Sequence, residues 1–83
     1  METKRKRHEL KILPEYFEAI KKDEKNFEVR FNDRNYSKGD VLILREHDAN
    51  GYTGRTITAE VTYLLDNSAY CKEGYVIMAI KKL

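Results

Sequence analysis

Residues 25–34, "KNFEVRFNDR", alternate between apolar and polar side chains and indicate a β-strand. Phe27, Val29 and Phe31 fall on one face of this strand. The other face carries Glu28, Arg30 and Asn32. Charges this closely spaced are typical of a solvated surface, where an ion pair contributes only about 0–1 kcal/mol, but also of the floor of a binding cleft. The alternation alone leaves both interpretations open.

The remainder of the chain predicts four more strands and one helix. Strands are expected at 8–12, 41–46, 55–65 and 75–83, and loops at 47–54 and 66–74. The helix is predicted within "LPEYFEAIKK" (13–22), where Pro14 suits the first turn. In the strand 55–65 the inward side chains are predicted to be Ile57, Ala59, Val61, Tyr63 and Leu65.

The predicted order of elements is therefore β-α-β-β-β-β, a mainly β (α+β) fold. One helix cannot cover both faces of a flat five-stranded sheet this rich in apolar residues. Curling the sheet into a small five-stranded β-barrel would bury the apolar face and remove the exposed edges together. We predict a barrel with a single helix against it.

The charge is distributed unevenly. The chain of 83 residues carries a net charge of +2, but four of its basic residues lie in the first seven positions. Without those seven residues, 12 basic and 13 acidic residues remain in 8–83. We therefore predict a flexible basic arm (1–7) and one folded domain (8–83), in which any affinity for polyanions depends on the arm or on local clusters of cations.

Composition also narrows the classes of site and compartment. The single cysteine, Cys71, cannot form an internal disulfide, and no apolar run is long enough to cross a membrane, so a cytoplasmic protein is expected. His8, His47 and Cys71 show no recognised spacing of metal ligands, and the four glycines are spread singly rather than in a phosphate-binding loop. No metal and no cofactor are expected.

Three groups of residues are candidates for a binding site. On a strand, Glu28 and Arg30 point the same way, and together with Lys25 they offer the mixed donors and acceptors that a nucleobase edge requires. The second group is Tyr52 and Arg55, on either side of Gly54; the alternative is a plain hairpin loop. The third group is Arg34 together with the basic arm, for phosphate contacts.

The first group also carries a resemblance to a known family. "KNFEVR" (25–30) followed by "KGDVLIL" (38–44) resembles the signature of the ASCH domain family in the PUA-like superfamily: Lys-x-x-Glu-x-Arg, then Gly-Asp at the start of the next strand. "HELKILPEYFEAI" (8–20) and "EHDANGYTGRTI" (46–57) resemble, more closely, a small bacterial and phage branch of ASCH-like proteins. Members often carry glycine after the helix, where this chain has Asp23.

The resemblance implies a PUA-like β-barrel that binds RNA or a modified nucleoside or nucleotide. Carried over, Lys25, Glu28 and Arg30 line the cleft, with Tyr52 and Arg55 at its rim. In this interpretation Lys25 and Arg30 bind a phosphate or base carbonyl, Glu28 accepts from an exocyclic amine, and Tyr52 stacks.

Two other functions remain open. An enzymatic branch of the same family hydrolyses acylated cytidine with a lysine and a threonine three positions later. Glu28 stands at that second position here, so an amidohydrolase-like enzyme would need Lys25 and Glu28 to activate a water instead. The other alternative is a small protein-interaction adaptor.

Overall fold

In the computed structural model, which describes residues 5–83, one short helix and five strands follow one another in the predicted order. Their bounds are β1 (Arg7–Ile12), α1 (Pro14–Lys21), β2 (Phe27–Phe31), β3 (Val41–Asp48), β4 (Gly51–Leu65) and β5 (Tyr75–Lys82). The mainly β fold class with a single helix is confirmed. The helix has eight residues, and no helix within 5–83 is long and apolar enough to cross a membrane.

The five strands form one sheet in the order β1-β3-β4-β5-β2. β1 runs parallel to β3, and every other neighbouring pair is antiparallel. The sheet curls into a half-barrel, so its two edge strands, β1 and β2, lie on either side of an opening that we call the seam. Across the seam the Arg30 guanidinium donates a 2.8 Å hydrogen bond to the backbone oxygen of Lys11.

The core fills the concave side of the half-barrel. Pro14 starts α1, whose buried side chains are Phe17 and Ile20. The other buried residues that pack with them are Leu10, Ile12, Tyr36, Leu42, Leu44, Ala59, Val61, Val76, Met78 and Ile80. Because these residues come from every element except β2, the core leaves β2 to the edge of the molecule.

The loop predicted at 47–54 is wrong. β3 and β4 continue through it and meet in a tight hairpin, in which Asp48 pairs with Gly51. The Asn50-Gly51 turn signal is used, and Gly51 adopts a φ of +110°. The polar residues of this segment are typical of a loop. They are compatible with strands here because the hairpin projects beyond the core, so neither of its faces has to be apolar.

The inward direction predicted for Tyr63 is also wrong. The pairing of β4 with β5 shifts register between Val61 and Tyr63, as a β-bulge does. One extra residue reverses the alternation, so Tyr63 is 62% exposed and Leu64 packs against the core instead.

The described part of the predicted arm is bound to the sheet. Arg7 is already the first residue of β1, and the Arg5 guanidinium lies 3.0 Å from a carboxylate oxygen of Glu60. The ammonium of Lys6 donates to the backbone oxygen of Asn35, and the backbone oxygen of Lys6 accepts from the N–H of Val41. Residues 5–7 are therefore not a free arm, and the rest of the predicted arm lies outside the described residues.

Candidate functional site

β2 buries its charged face and exposes its apolar face. Glu28 is 4% exposed and Arg30 is half-buried, whereas Phe27, Val29 and Phe31 are 43%, 51% and 56% exposed. The predicted alternation is present, but the charged side chains point into the concave side of the half-barrel. Of the two interpretations of this stretch, a solvated charged surface does not describe the geometry.

The turn after α1 delivers Lys25 to the same place. The N–H groups of Glu24 and Lys25 both donate to the backbone oxygen of Ala19, which winds the chain back toward the helix. Asp23 has the left-handed backbone conformation, with a φ of +63°. This turn directs the Lys25 ammonium over the start of β2.

One carboxylate holds two cations in this region, and we call the three residues the cleft cluster. The Lys25 ammonium lies 2.6 Å from Oε1 of Glu28, and Nε of Arg30 lies 2.8 Å from Oε2. The Glu28 side chain is 5% exposed, but those of Lys25 and Arg30 are 16% and 26% exposed. The carboxylate is therefore enclosed, while both cations still reach the surface.

Backbone carbonyls at the seam fix the two cations further. Ile80 N–H donates to the oxygen of Asn26, and Asn32 N–H donates to the oxygen of Gly74. The even-numbered residues of β2 are therefore those whose backbone groups hydrogen-bond with β5. The odd-numbered carbonyls face the seam, and Phe27 O there accepts a 2.6 Å hydrogen bond from the Lys25 ammonium. Arg30 reaches the opposite edge, at Lys11 O.

The cleft cluster lies in a cleft of about 730 Å³ between α1, β2 and the end of β1, which we call the first cleft. Its walls include two half-exposed aromatic rings, Tyr16 and Phe27. The Lys25 ammonium lies 5.6 Å from the centre of the Tyr16 ring and 5.0 Å from that of Phe27. The volume falls in the range of small-molecule sites, which combine apolar walls with a few fixed polar groups.

Two further predicted residues lie on the other side of Arg30. Arg34 and Tyr52 line a smaller cleft of about 340 Å³, which we call the second cleft, together with Lys11 and Arg30. Tyr52 is not beside Lys25, because the extended hairpin carries it away from the first cleft. Its ring is stacked by the Arg45 guanidinium at 4.0 Å and touches His47 edge-on at 5.0 Å.

Arg55 belongs to neither cleft. Its guanidinium donates to both oxygens of Glu46, at 2.9 and 2.8 Å, and to Glu18 of α1 at 2.7 Å, and it lies 4.5 Å from the centre of the Phe17 ring. We call Glu18, Glu46 and Arg55 the helix–hairpin cluster. The hydrogen bond from Arg55, helped by one from Thr53, lowers the pKa of Glu46 to about 2. Here Arg55 joins the helix to the sheet rather than forming the rim of the cleft.

A further buried ionic contact joins β1 to the turn before β3. Nε2 of His8 and Oδ2 of Asp40 are 2.9 Å apart, and the same Asp40 oxygen accepts from the N–H of Ser37. Burial raises the pKa of Asp40, but the hydrogen bonds from His8, Ser37 and Lys6 outweigh it and leave the pKa below its ordinary value. Asp40 thus fixes the turn before β3. Within 5–83 no group of three or more His, Cys, Asp or Glu side chains is arranged to hold a metal ion.

Lys11, Tyr16 and Phe27 are among the lining residues that the sequence prediction missed. Tyr16 shares the helical stripe of Phe17 and Ile20, a pattern that predicts a core position, yet it lies at the margin of that stripe and is 45% exposed. Lys11 contributes its backbone oxygen as well as its side chain, and no sequence pattern marks a carbonyl. The edge position of β2 would have been needed to identify Phe27.

Comparison with known proteins identifies related chains. Residues 7–80 match the family described as "Domain of unknown function (DUF3850)". A curated relative, the "Uncharacterized 12.9 kDa protein in GpA 3'region" of Escherichia phage P2, is 40% identical over 71 residues. The matched residues cover 86% of this chain and 64% of the phage protein, so the chain spans less than two thirds of that relative's length.

Proposed function

We propose that this chain, which belongs to the DUF3850 family, binds a nucleotide or a short RNA segment in its first cleft. One observation carries the proposal: a single enclosed carboxylate holds two partly exposed cations at the floor of a cleft with aromatic walls. The cations supply directed donors, and the rings supply stacking surfaces. Together these are the means by which proteins bind unpaired bases.

The donors that remain free determine the chemistry of the ligand. Within the described residues, hydrogen bonds to Phe27 O and Glu28 take two of the three Lys25 N–H groups. Bonds to Glu28 and Lys11 O take two of the five N–H groups of Arg30. One donor on Lys25 and three on Arg30 remain. A ligand bearing carbonyl or phosphate oxygens matches this set of donors.

Glu28 has a supporting role in this proposal. Its side chain is only 5% exposed and both of its oxygens already accept from cations, so it orients Lys25 and Arg30 rather than contacting the ligand. This differs from the direct contact with an exocyclic amine expected from the sequence. The PUA-like assignment of the fold and the kinship with ASCH domains belong to the same proposal; the half-barrel with one helix is compatible with them.

Calorimetric titration with uridine and guanosine monophosphates tests the proposal. Lys25→Met and Arg30→Met keep the aliphatic stems and remove the donors, so we expect each to weaken binding at least about tenfold, as loss of a charge-assisted hydrogen bond does. Lys81→Met removes an equal charge from an exposed position outside both clefts and should leave affinity unchanged. Adenosine monophosphate, whose base has no carbonyl, should bind more weakly than the other two nucleotides.

The proposal is wrong if the double variant Lys25→Met, Arg30→Met binds all three nucleotides as the parent chain does. Circular dichroism must show that each variant is folded under the conditions of the titration, so that weaker binding is not a consequence of unfolding. The urea midpoint is expected to fall, because the buried Glu28 carboxylate loses an ionic partner.

A second function is favoured by one distance. The 2.6 Å contact between the Lys25 ammonium and Glu28 places a cation beside a carboxylate, the pair that an amidohydrolase-like reaction would need to activate water. Chromatography of N4-acylated cytidines incubated with the chain tests this alternative. Deacylation that Glu28→Gln abolishes would support it, and no deacylation would remove it. The adaptor function stays a prediction.

A further inference from the structure

The second cleft adjoins the first at Arg30 and Lys11, which line both. The 2.8 Å hydrogen bond from the Arg30 guanidinium to Lys11 O crosses the seam between them. The two clefts are therefore successive parts of one groove that follows the seam, and the Arg30 guanidinium forms the saddle between them.

The two parts of the groove differ in chemistry. The first cleft has two aromatic walls, Tyr16 and Phe27, around the free donors of the cleft cluster. The second cleft is smaller, and its Arg34 is less constrained than the cations of the cleft cluster. The Arg34 side chain is 47% exposed, and within residues 5–83 its one ionic contact is a 3.9 Å approach to Asp33. Tyr52 adds a half-exposed ring to the same cleft.

We propose that the groove binds two successive nucleotides of a single strand, a proposal that rests on the proposed function. The base of one nucleotide occupies the first cleft between aromatic walls. The phosphate that joins the two nucleotides lies over the saddle, where Arg30 and Lys11 provide positive charge. The second nucleotide lies in the second cleft, with Tyr52 against its base and Arg34 near its phosphate. An unpaired strand is required because both bases contact side chains by their faces.

The chemistry of the two clefts favours two linked nucleotides over a single nucleoside triphosphate. A single nucleoside triphosphate would extend only phosphates across the saddle, and no base would then contact the Tyr52 ring in the second cleft. A dinucleotide places a second base there, and stacking of one base on an aromatic side chain contributes about 1–3 kcal/mol. The Arg45 guanidinium, which does not line the second cleft, lies 4.0 Å from the centre of the Tyr52 ring, and the Lys11 ammonium, which does, lies 5.9 Å from it.

The experiment compares uridine monophosphate, uridine triphosphate and the 5′-phosphorylated dinucleotide of uridine by calorimetry at one ionic strength, with the full chain. We expect the dinucleotide to bind at least about tenfold more tightly than the monophosphate, the equivalent of one stacked base. Tyr52→Leu and Arg34→Met should each cancel most of this gain. Lys81→Met is the control of equal charge change and should preserve it.

The possible results distinguish failure of the two-nucleotide groove from failure of the proposed function. If no uridine ligand binds, the proposed function fails and this inference falls with it. If the monophosphate binds but the dinucleotide binds no more tightly, only the two-nucleotide groove is wrong. It is also wrong if the triphosphate gains as much as the dinucleotide, since extra phosphate would then explain the whole effect. A gain that survives Tyr52→Leu and Arg34→Met likewise overturns it.

Discussion

The cleft cluster and the helix–hairpin cluster use the same groups in opposite proportions. Each is centred on a carboxylate whose side chain is 5% exposed, Glu28 in one and Glu46 in the other. In the cleft cluster, two cations share one carboxylate. In the helix–hairpin cluster, one cation is shared by two carboxylates, and the Arg55 guanidinium donates to three of their oxygens.

We infer that this difference in proportion separates the proposed binding site from a structural link. Burial and pairing are common to both clusters, so neither property identifies the site. In the cleft cluster the excess of cations leaves donors for the proposed ligand, whereas in the helix–hairpin cluster three of the five N–H groups of Arg55 are bound to carboxylates. The surroundings agree, because the cleft cluster opens into about 730 Å³ of space and Arg55 lies over the Phe17 ring.

The largest effect is expected from removing the shared carboxylate of the cleft cluster. Glu28→Ala leaves two cations facing each other at the cleft floor, and breaking a buried ionic group usually costs about 3–5 kcal/mol. Because Lys25 and Arg30 still reach water, we expect the free energy of unfolding to fall by about 2–3 kcal/mol. Urea denaturation measures this loss.

Glu28→Gln is the matched control for that change. The amide keeps the shape of the side chain and one acceptor oxygen, so its loss of stability should be smaller than that of alanine. Equal losses for the two variants would show that the lost ionic contacts alone account for the effect, whereas a glutamine variant as stable as the parent would show that the lost volume does.

An intermediate effect that depends on pH is expected from the helix–hairpin cluster. The pKa of Glu46 is about 2 in the fold, against an ordinary value of 4.5. Since the fold favours the charged form, the stabilisation is complete above pH 4.5 and is lost as the pH falls toward 2. The difference in urea midpoint between the parent chain and Glu46→Gln should therefore be constant near neutral pH, shrink below pH 4.5 and be largely gone at pH 2.

A surface pair offers the comparison for this titration. Glu60→Gln breaks the pair with Arg5, whose guanidinium is 55% exposed, so its urea midpoint should stay close to that of the parent near neutral pH. A difference for Glu46→Gln that persists undiminished to pH 2 would contradict the assignment of Glu46 as the charged partner of Arg55.

The smallest effect is expected at the turn that delivers Lys25 to the cleft cluster. Asp23 has a φ of +63°, which glycine adopts without the steric cost that a Cβ atom brings. Its exposed contact with Lys82 contributes little. Asp23→Gly should thus raise the free energy of unfolding by about 0.5 kcal/mol, while Asp23→Ala should lower it. Thermal denaturation of the three chains measures the order, and a less stable glycine variant would disprove the strain.

The sequence was sufficient for the elements and for the membership of the cleft cluster. Alternation placed Glu28 and Arg30 on one face, and proline and glycine marked the start of α1 and the turn before β3. It was not sufficient to decide which face of β2 is buried. That choice depends on the position of β2 at the edge of a curled sheet, and strand order arises from contacts that are distant in sequence.

The position of Arg55 also depends on contacts that the sequence pattern does not reveal. Its main partner, Glu46, is nine residues away, and the two become neighbours only because β3 and β4 continue into a tight hairpin. The loop predicted at 47–54 separates the two residues and leaves Arg55 without a partner, and the resemblance to ASCH domains placed Arg55 at the rim of the cleft. The bulge after Val61 is likewise invisible in the alternating pattern, and it reversed the side chain of Tyr63.

The strand order also has a consequence for how the chain folds. The hairpin of β3 and β4 closes between Asp48 and Gly51, three positions apart, whereas β1 joins β3 across 34 positions (Arg7 to Val41) and β2 joins β5 across 52 (Phe27 to Ala79). Closing longer loops costs more chain entropy and slows folding. The two strands that border the seam are thus expected to dock last, so the groove is assembled only when the remainder of the sheet is already in place.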